Sequence, residues 1–140
     1  MATPHELSSK TRILLTGATG QLGSYLFREM QQRDLTVEPW SSRENAQVLG
    51  VSCRQVDLRD VDQISEAFGD FKPDIVIHAA AVSSAAACSE DPERARRVNA
   101  KATRLLVELA QKRKARFIFT STDLVFDGRQ GNYRETDAAT

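Results

Sequence analysis

A chain of 140 residues, 41% of them hydrophobic, fits one domain with enough apolar content to fill one core. Its 19 Lys and Arg balance 19 Asp and Glu, which excludes a global pull toward nucleic acid or an anionic membrane. No apolar run approaches the ~20 residues of a membrane span and no secretory signal core stands near the start, so we expect a cytoplasmic protein.

In chain order, Met1 to Lys10 are polar and aperiodic and read as a flexible leader, residues 1–10, ahead of one domain over 11–140. Arg12 to Thr16 is the first predicted strand and Leu22 to Arg33 the helix after it. Leu22, Leu26 and Met30 repeat every four residues there, with Tyr25 and Phe27 broadening the apolar stripe. Between strand and helix stand three glycines spaced by three, Gly17, Gly20 and Gly23. Such a turn presents free amides and the positive end of a helix dipole, and residues without Cβ let a ligand approach the backbone. That chemistry suits a diphosphate, so Gly17, Thr19, Gly20, Gln21, Leu22 and Gly23 are candidate cofactor-binding residues. A tight turn that merely uses glycine is the plainer alternative.

Leu35 to Trp40 is the second strand, followed by a polar loop from Ser41 to Gln47 and a short turn over Val48 to Gly50. Arg54 to Asp57 is the third strand. Val61 to Phe71 is a helix with Ile64, Ala67 and Phe68 inward and Asp60 as its natural cap. Pro73 breaks the chain before Asp74 to Ala81, whose apolar run suits a strand covered on both faces. Asp91 and Pro92 open a long helix with Val98, Ala102, Leu105, Leu106 and Leu109 on one face. Arg116 to Ser121 is the fifth strand, and Asp127 to Thr140 reads as polar loop. Strands alternating with helices predict an α/β, Rossmann-type doubly wound parallel sheet of order 3-2-1-4-5. Its ligand lies across the carboxyl ends of the strands.

The end of the second strand selects the cofactor in such a sheet. A carboxylate there accepts from a ribose diol, whereas an Arg with hydroxyls suits a 2′-phosphate. Glu38 falls within the strand, while Ser41, Ser42 and Arg43 fall at its tip. We therefore expect NADP(H), with NAD(H) as the alternative. Ala79, Ala80 and Ala81 end the fourth strand in small residues, which close approach of a cofactor requires and close helix packing equally explains. His78 beside them reads as a hydrogen-bonded core histidine, since nothing nearby forms a dyad with it. Cys53 and Cys88 lack metal-ligand spacing and are expected as free thiols, with no metal site.

Two motifs carry a family resemblance. Thr16-Gly17-x-x-Gly20-x-x-Gly23 resembles the signature of the extended short-chain dehydrogenase/reductases, which modify sugar nucleotides. Ser121-Thr122-Asp123-x-Val125-Phe126-Asp127-Gly128, followed by Tyr133-Arg134-Glu135-Thr136-Asp137, is similar to the dTDP-4-dehydrorhamnose reductase family of nucleotide-sugar metabolism. That family includes the non-catalytic β subunit of methionine adenosyltransferase. The resemblance implies that Asp57 and Leu58 grip adenine and that Asn99, in Val98-Asn99-Ala100-x-x-Thr103, supports the ends of the fourth and fifth strands near the cofactor. It places Thr120 and Ser121 at the cofactor and makes Thr122 the hydroxyl that orients the substrate carbonyl. Leu124 departs from the Tyr that commonly follows Ser-Thr-Asp.

The Tyr-x-x-x-Lys pair on which the family's proton transfer rests does not occur here: four residues past Tyr25 and Tyr133 stand Glu29 and Asp137. We therefore expect the N-terminal, cofactor-binding part of a longer protein, or a naturally truncated chain, inactive alone and with the substrate-binding part absent. Its fifth strand would then be a bare apolar sheet edge, and self-association through that edge is expected. Two functions follow from the resemblance: an NADP(H)-dependent reductase of a nucleotide-linked 4-keto sugar, or a non-catalytic NADP-binding regulatory module.

Overall fold

The computed structural model describes residues 9–139. The expected leader falls outside the described residues except for Ser9 and Lys10, which form a turn whose Ser9 carbonyl accepts the Thr36 hydroxyl at 2.6 Å.

The first strand of the described residues lies in the middle of the sheet. Strand β1 (Arg12–Thr16) is flanked on one side by β2 (Thr36–Ser41) and on the other by β6 (Ile75–His78), with β5 (Arg54–Gln55) and β7 (Arg116–Phe119) outermost. Every pairing in this sheet is parallel, with Thr16 level with Trp40 and with His78. Two further short strands, β3 (Gln47–Val48) and β4 (Val51–Ser52), make a separate antiparallel hairpin. Numbered along the chain, the sheet is therefore β5-β2-β1-β6-β7 rather than 3-2-1-4-5. Setting the hairpin aside, its third, second, first, fourth and fifth strands lie side by side. The loop and turn expected over residues 41–50 missed the hairpin because each arm has two residues. Its turn is made by Leu49 and Gly50, both at positive φ (48° and 79°), as the tightest hairpin turns require.

Side chains alternating along β1 feed two cores. Ile13 and Leu15 pack with Phe27 and Met30 of α1 (Gln21–Gln32), while Leu14 packs with Ile64 and Phe68 of α2 (Val61–Phe71) and Leu106 of α5 (Thr103–Arg113). The sheet is thus covered on both faces, which is why β1 and β6 read as unbroken apolar runs. Of the apolar stripe expected on α1, Phe27 and Met30 are buried and Leu26 packs against the same core, whereas Leu22 and Tyr25 are 49% and 57% exposed and Gly23 faces inward. Gly23 takes the inward position because α1 approaches the preceding turn too closely there for any side chain.

The helix expected from Asp91 onward runs from Pro92 to Arg113 without a break, but its winding changes along the way. A short α3 (Ala85–Glu90) precedes α4 (Pro92–Arg96), and a π-helical segment (Arg97–Ala102) joins α4 to α5. Strands three to five each end earlier than expected, so that Ala79 to Ala81, and Thr120 and Ser121, are loop rather than strand. The loop after β7 holds one 3₁₀ turn (Asp123–Val125).

Candidate active site: a cleft over the glycine turn

A cleft of about 630 Å³ opens at the carboxyl ends of β1, β2, β5 and β6. Its position follows from the topology. The chain leaves β1 toward β2 and β5, then returns to β6 on the other side, and the loops diverge at that reversal.

The glycine turn forms the floor. Gly17 has φ +69°, and a Cβ there would lie 2.8 Å from Ala80 N. A Cβ on Gly23 would run into the Gly17 carbonyl and lie 2.9 Å from Ala18 Cα. Only glycine fits at either place, so the turn and the Ala79–Ala80 loop touch backbone to backbone. The helix that follows has Gly20 as its N-cap, and no side chain caps it. The first-turn amides of α1 therefore meet the cleft unsatisfied, at the positive end of the helix dipole. An anion is the chemical complement of that arrangement.

The walls carry charge and small residues. Arg43 reaches across the floor, its Nη2 donating to Thr19 Oγ1 at 3.3 Å, and the Ser41 hydroxyl accepts from Arg43 N at 3.2 Å. Glu38 is turned away, accepting from Trp40 Nε1 at 2.8 Å. On the far wall Asp57 is clamped by Arg59, whose Nη2 and Nε lie 2.6 and 3.0 Å from Oδ2, while Arg59 N and Nε both donate to Oδ1 at 2.9 Å. The hydrogen bonds and charge of Arg59 hold the Asp57 carboxyl below its usual range. Asp60, not Asp57, caps α2: its Oδ1 accepts from Asp62 N and Gln63 N at 3.0 and 3.1 Å. Asp57 is thereby left to the cleft.

Of the residues singled out in the sequence, Gly17, Thr19, Gly20, Gln21, Leu22, Gly23, Ser42, Arg43, Asp57, Leu58, Ala79, Ala80 and Ala81 all line this cleft. Asn99, Thr120, Ser121 and Thr122 do not. Asn99 instead grips the loop behind the wall, its Oδ1 accepting from Val82 N at 2.8 Å and its Nδ2 donating to Val82 O at 3.0 Å. Thr120 Oγ1 donates to His78 O at 3.2 Å. Thr122 caps the 3₁₀ turn, accepting from Leu124 N and donating to Asp123 Oδ1, both at 3.2 Å. These hydroxyls stand past the end of β7, one strand beyond the cleft. Sequence reasoning missed Arg59 and Arg94 on the wall and Trp40 beneath the floor. The pairing of Arg59 with Asp57 two residues earlier was a readable signal; Arg94 reaches the cleft only because α4 folds over it.

His78 is fully buried, as a core histidine should be, and burial lowers its imidazole to about 4. Cys53 and Cys88 are both free; burial raises the Cys53 thiol, and Cys88 Sγ donates to Val82 O at 3.2 Å. Among the described residues no acidic, His and Cys group is arranged to hold a metal, and no helix is long and apolar enough to cross a membrane.

Residues 11–140 match the model of the RmlD substrate binding domain family. The chain belongs to that family. Among its curated relatives, dTDP-4-dehydrorhamnose reductase of Aggregatibacter actinomycetemcomitans is 32% identical, over 90% of this chain and 40% of its own length. The β subunit of methionine adenosyltransferase 2 from Bos taurus is equally similar, 32% identical over 90% of this chain and 36% of its own. The chain thus spans about two fifths of the relatives it matches. Among solved structures, a hypothetical dTDP-4-dehydrorhamnose reductase from Sulfolobus tokodaii superposes with TM-score 0.81 at 33% identity, over 93% of this chain and 46% of its own. Two others were solved with cofactors. The Bacillus anthracis dTDP-4-dehydrorhamnose reductase, with NADP, gives TM-score 0.73 at 26% identity over 87% and 40% of the two chains. The Thermus thermophilus UDP-glucose 4-epimerase, with NAD, gives 0.76 at 28% over 90% and 43%. These neighbours share the parallel α/β sheet described above.

Proposed function

We propose that the cleft binds a nicotinamide dinucleotide, NADP(H) in preference to NAD(H), and that the chain is the cofactor-binding part of a reductase of a nucleotide-linked 4-keto sugar. One observation carries the reading: an uncapped glycine helix N-terminus faces Arg43 and Thr19 across a cleft large enough for a dinucleotide. The amides at the start of α1 would hold the diphosphate. Arg43 and Ser42, at the tip of β2, would hold a 2′-phosphate, and the small Ala79–Ala81 wall would admit the ribose. Asp57 would accept from adenine only by sharing a carboxylate already engaged by Arg59. When bound, the cofactor supplies the hydride, and Thr122 in our reading orients the substrate carbonyl that receives it. We extend the same reading to the β7 edge, where Ile118 and Phe119 are 43% and 50% exposed, as a surface for self-association.

Arg43→Ala tests the choice of cofactor. Affinity for NADPH should fall about tenfold while that for NADH stays constant, because one charge-assisted pair to phosphate is lost. Equal losses for both would place Arg43 at the shared part of the ligand. A second reading, a regulatory module without turnover, is favoured by the equal similarity to the methionine adenosyltransferase subunit. Cofactor-dependent reduction of a dTDP-linked keto sugar by a protein that carries this sequence supports the first. Tight binding to a methionine adenosyltransferase catalytic subunit without reduction supports the second.

A further inference from the structure

Behind the cleft wall lies a buried hydrogen-bond relay in which every proton has a definite place. Thr103 Oγ1 donates to Asn99 O at 2.9 Å, so its oxygen is free to accept from His78 Nε2, also at 2.9 Å. At the other side of the ring, Ala80 N donates to Thr16 Oγ1 at 3.2 Å, which leaves the Thr16 hydroxyl proton for His78 Nδ1 at 2.7 Å. These directions assign a neutral imidazole with its proton on Nε2. The ring also packs beside Phe117 and Phe119 of β7, at 6.1 and 5.8 Å between centroids, both uncharged. Thr16 and His78 are both fully buried, and water cannot replace a lost partner.

What the relay fixes is the wall itself. Ala80 N, the last donor in it, is the atom that a Cβ on Gly17 would approach to 2.8 Å. The far end of the same short wall is held by the paired Asn99 bonds to Val82, and Asn99 O is where the relay ends. The π-helical segment that carries Asn99 is therefore tied to the glycine turn by way of the histidine.

We propose that His78 is a positioning residue for the cleft: by accepting the Thr16 hydroxyl proton it aims the Thr16 oxygen at Ala80 N and so sets the distance between the alanine wall and the glycine turn. The consequence for ligand affinity rests on the reading of the cleft as a dinucleotide site; the consequence for the wall does not. A proton added at Nδ1 would leave the Thr16 hydroxyl hydrogen without an acceptor in a dry site, and Ala80 would lose its anchor. Acid should loosen the wall before it unfolds the sheet.

The test combines three measurements on the full chain. The ¹⁵N spectrum of the imidazoles should show His78 as the Nε2–H tautomer. Thr16→Val should speed hydrogen exchange at the Ala80 amide and weaken NADPH binding, each about five- to tenfold, and Thr16→Ser, which keeps the hydroxyl, should restore both. In the unaltered protein, Ala80 exchange should rise as His78 takes up its proton, an arm that stands even if Thr16→Val does not fold. An Nδ1–H tautomer, or Ala80 exchange indifferent to both Thr16→Val and His78 protonation, overturns the proposal. If the unaltered protein binds no nicotinamide dinucleotide, the cofactor reading fails, while the tautomer and exchange arms still decide the role of His78.

Discussion

Helices α1 and α2 are close in length, 12 and 11 residues, and both start just after a strand of the same sheet, yet they begin in opposite ways. At α2 the Asp60 carboxylate takes two first-turn amides and Gln63 reaches back to Asp57 N at 3.0 Å, so the helix end is electrically complete. At α1 the cap is Gly20, and no side chain supplies that charge. In our proposal the end left incomplete, beside a cleft of about 630 Å³, receives the ligand, whereas the end completed by its own sequence is scaffold.

The most damaging way to break this contrast is Gly23→Ala. Its Cβ would meet Gly17 backbone on a turn that cannot retreat, since Gly17 is itself pressed against Ala80. We expect a loss of about 3 kcal/mol of stability and no measurable dinucleotide binding, read by chemical denaturation and calorimetry. The equivalent change in α2, Gly69→Ala, meets nothing within 4 Å and should be harmless or mildly stabilising.

Acid separates the two regions next. His78 titrates at about 4 in the fold against 6.5 unfolded, so the unfolded chain binds the extra proton first. Its contribution is fully present above pH 6.5 and drains away as pH falls toward 4, about 3 kcal/mol in all. The Asp57–Arg59 pair has the opposite cause: its carboxyl is held below the ordinary 3.8, so its contribution is present above that value and is lost only at lower pH. Melting temperature against pH should therefore begin to fall near 6.5, and His78→Asn should remove that first descent.

The finest test exchanges the two helix starts. Gly20→Asp would give α1 the carboxylate that α2 already has; Gly20 is at φ −78°, which any residue adopts, and the new Cβ would lie in tight contact with the Gly17 carbonyl at 3.2 Å. We expect affinity for NADPH to fall at least about tenfold through repulsion of the diphosphate, while the gain from the new cap is offset by that contact and stability changes little. Asp60→Ala should do the reverse, costing about 1 kcal/mol of stability and leaving affinity as it was.

The same contrast explains what was legible in the chain. Features that satisfy themselves locally, such as Asp60 before Val61, or the glycine spacing between strand and helix, were readable because neighbours in sequence are neighbours in space. The thirteen cleft residues named above come from four such loops, and their convergence follows from a parallel sheet that changes direction at β1. The π-helical segment was not legible, because Asn99 leaves the regular helical path to bind Val82, seventeen positions away. The ends of α2 and α5 carried no glycine signal either: Lys72 and Lys114 take the left-handed conformation there, at φ 53° and 62°. Arg94 belongs to the cleft only through the packing of α4, which no local pattern encodes.

The central claim is most directly tested by titrating the unaltered chain with NADPH and then NADH while following the single tryptophan. Trp40 lines the cleft, so a bound nicotinamide cofactor should quench its emission by energy transfer. The account predicts saturable quenching by both, with NADPH the tighter ligand and Gly20→Asp the weaker protein. Quenching by neither, in a chain whose melting shows it folded, would contradict it.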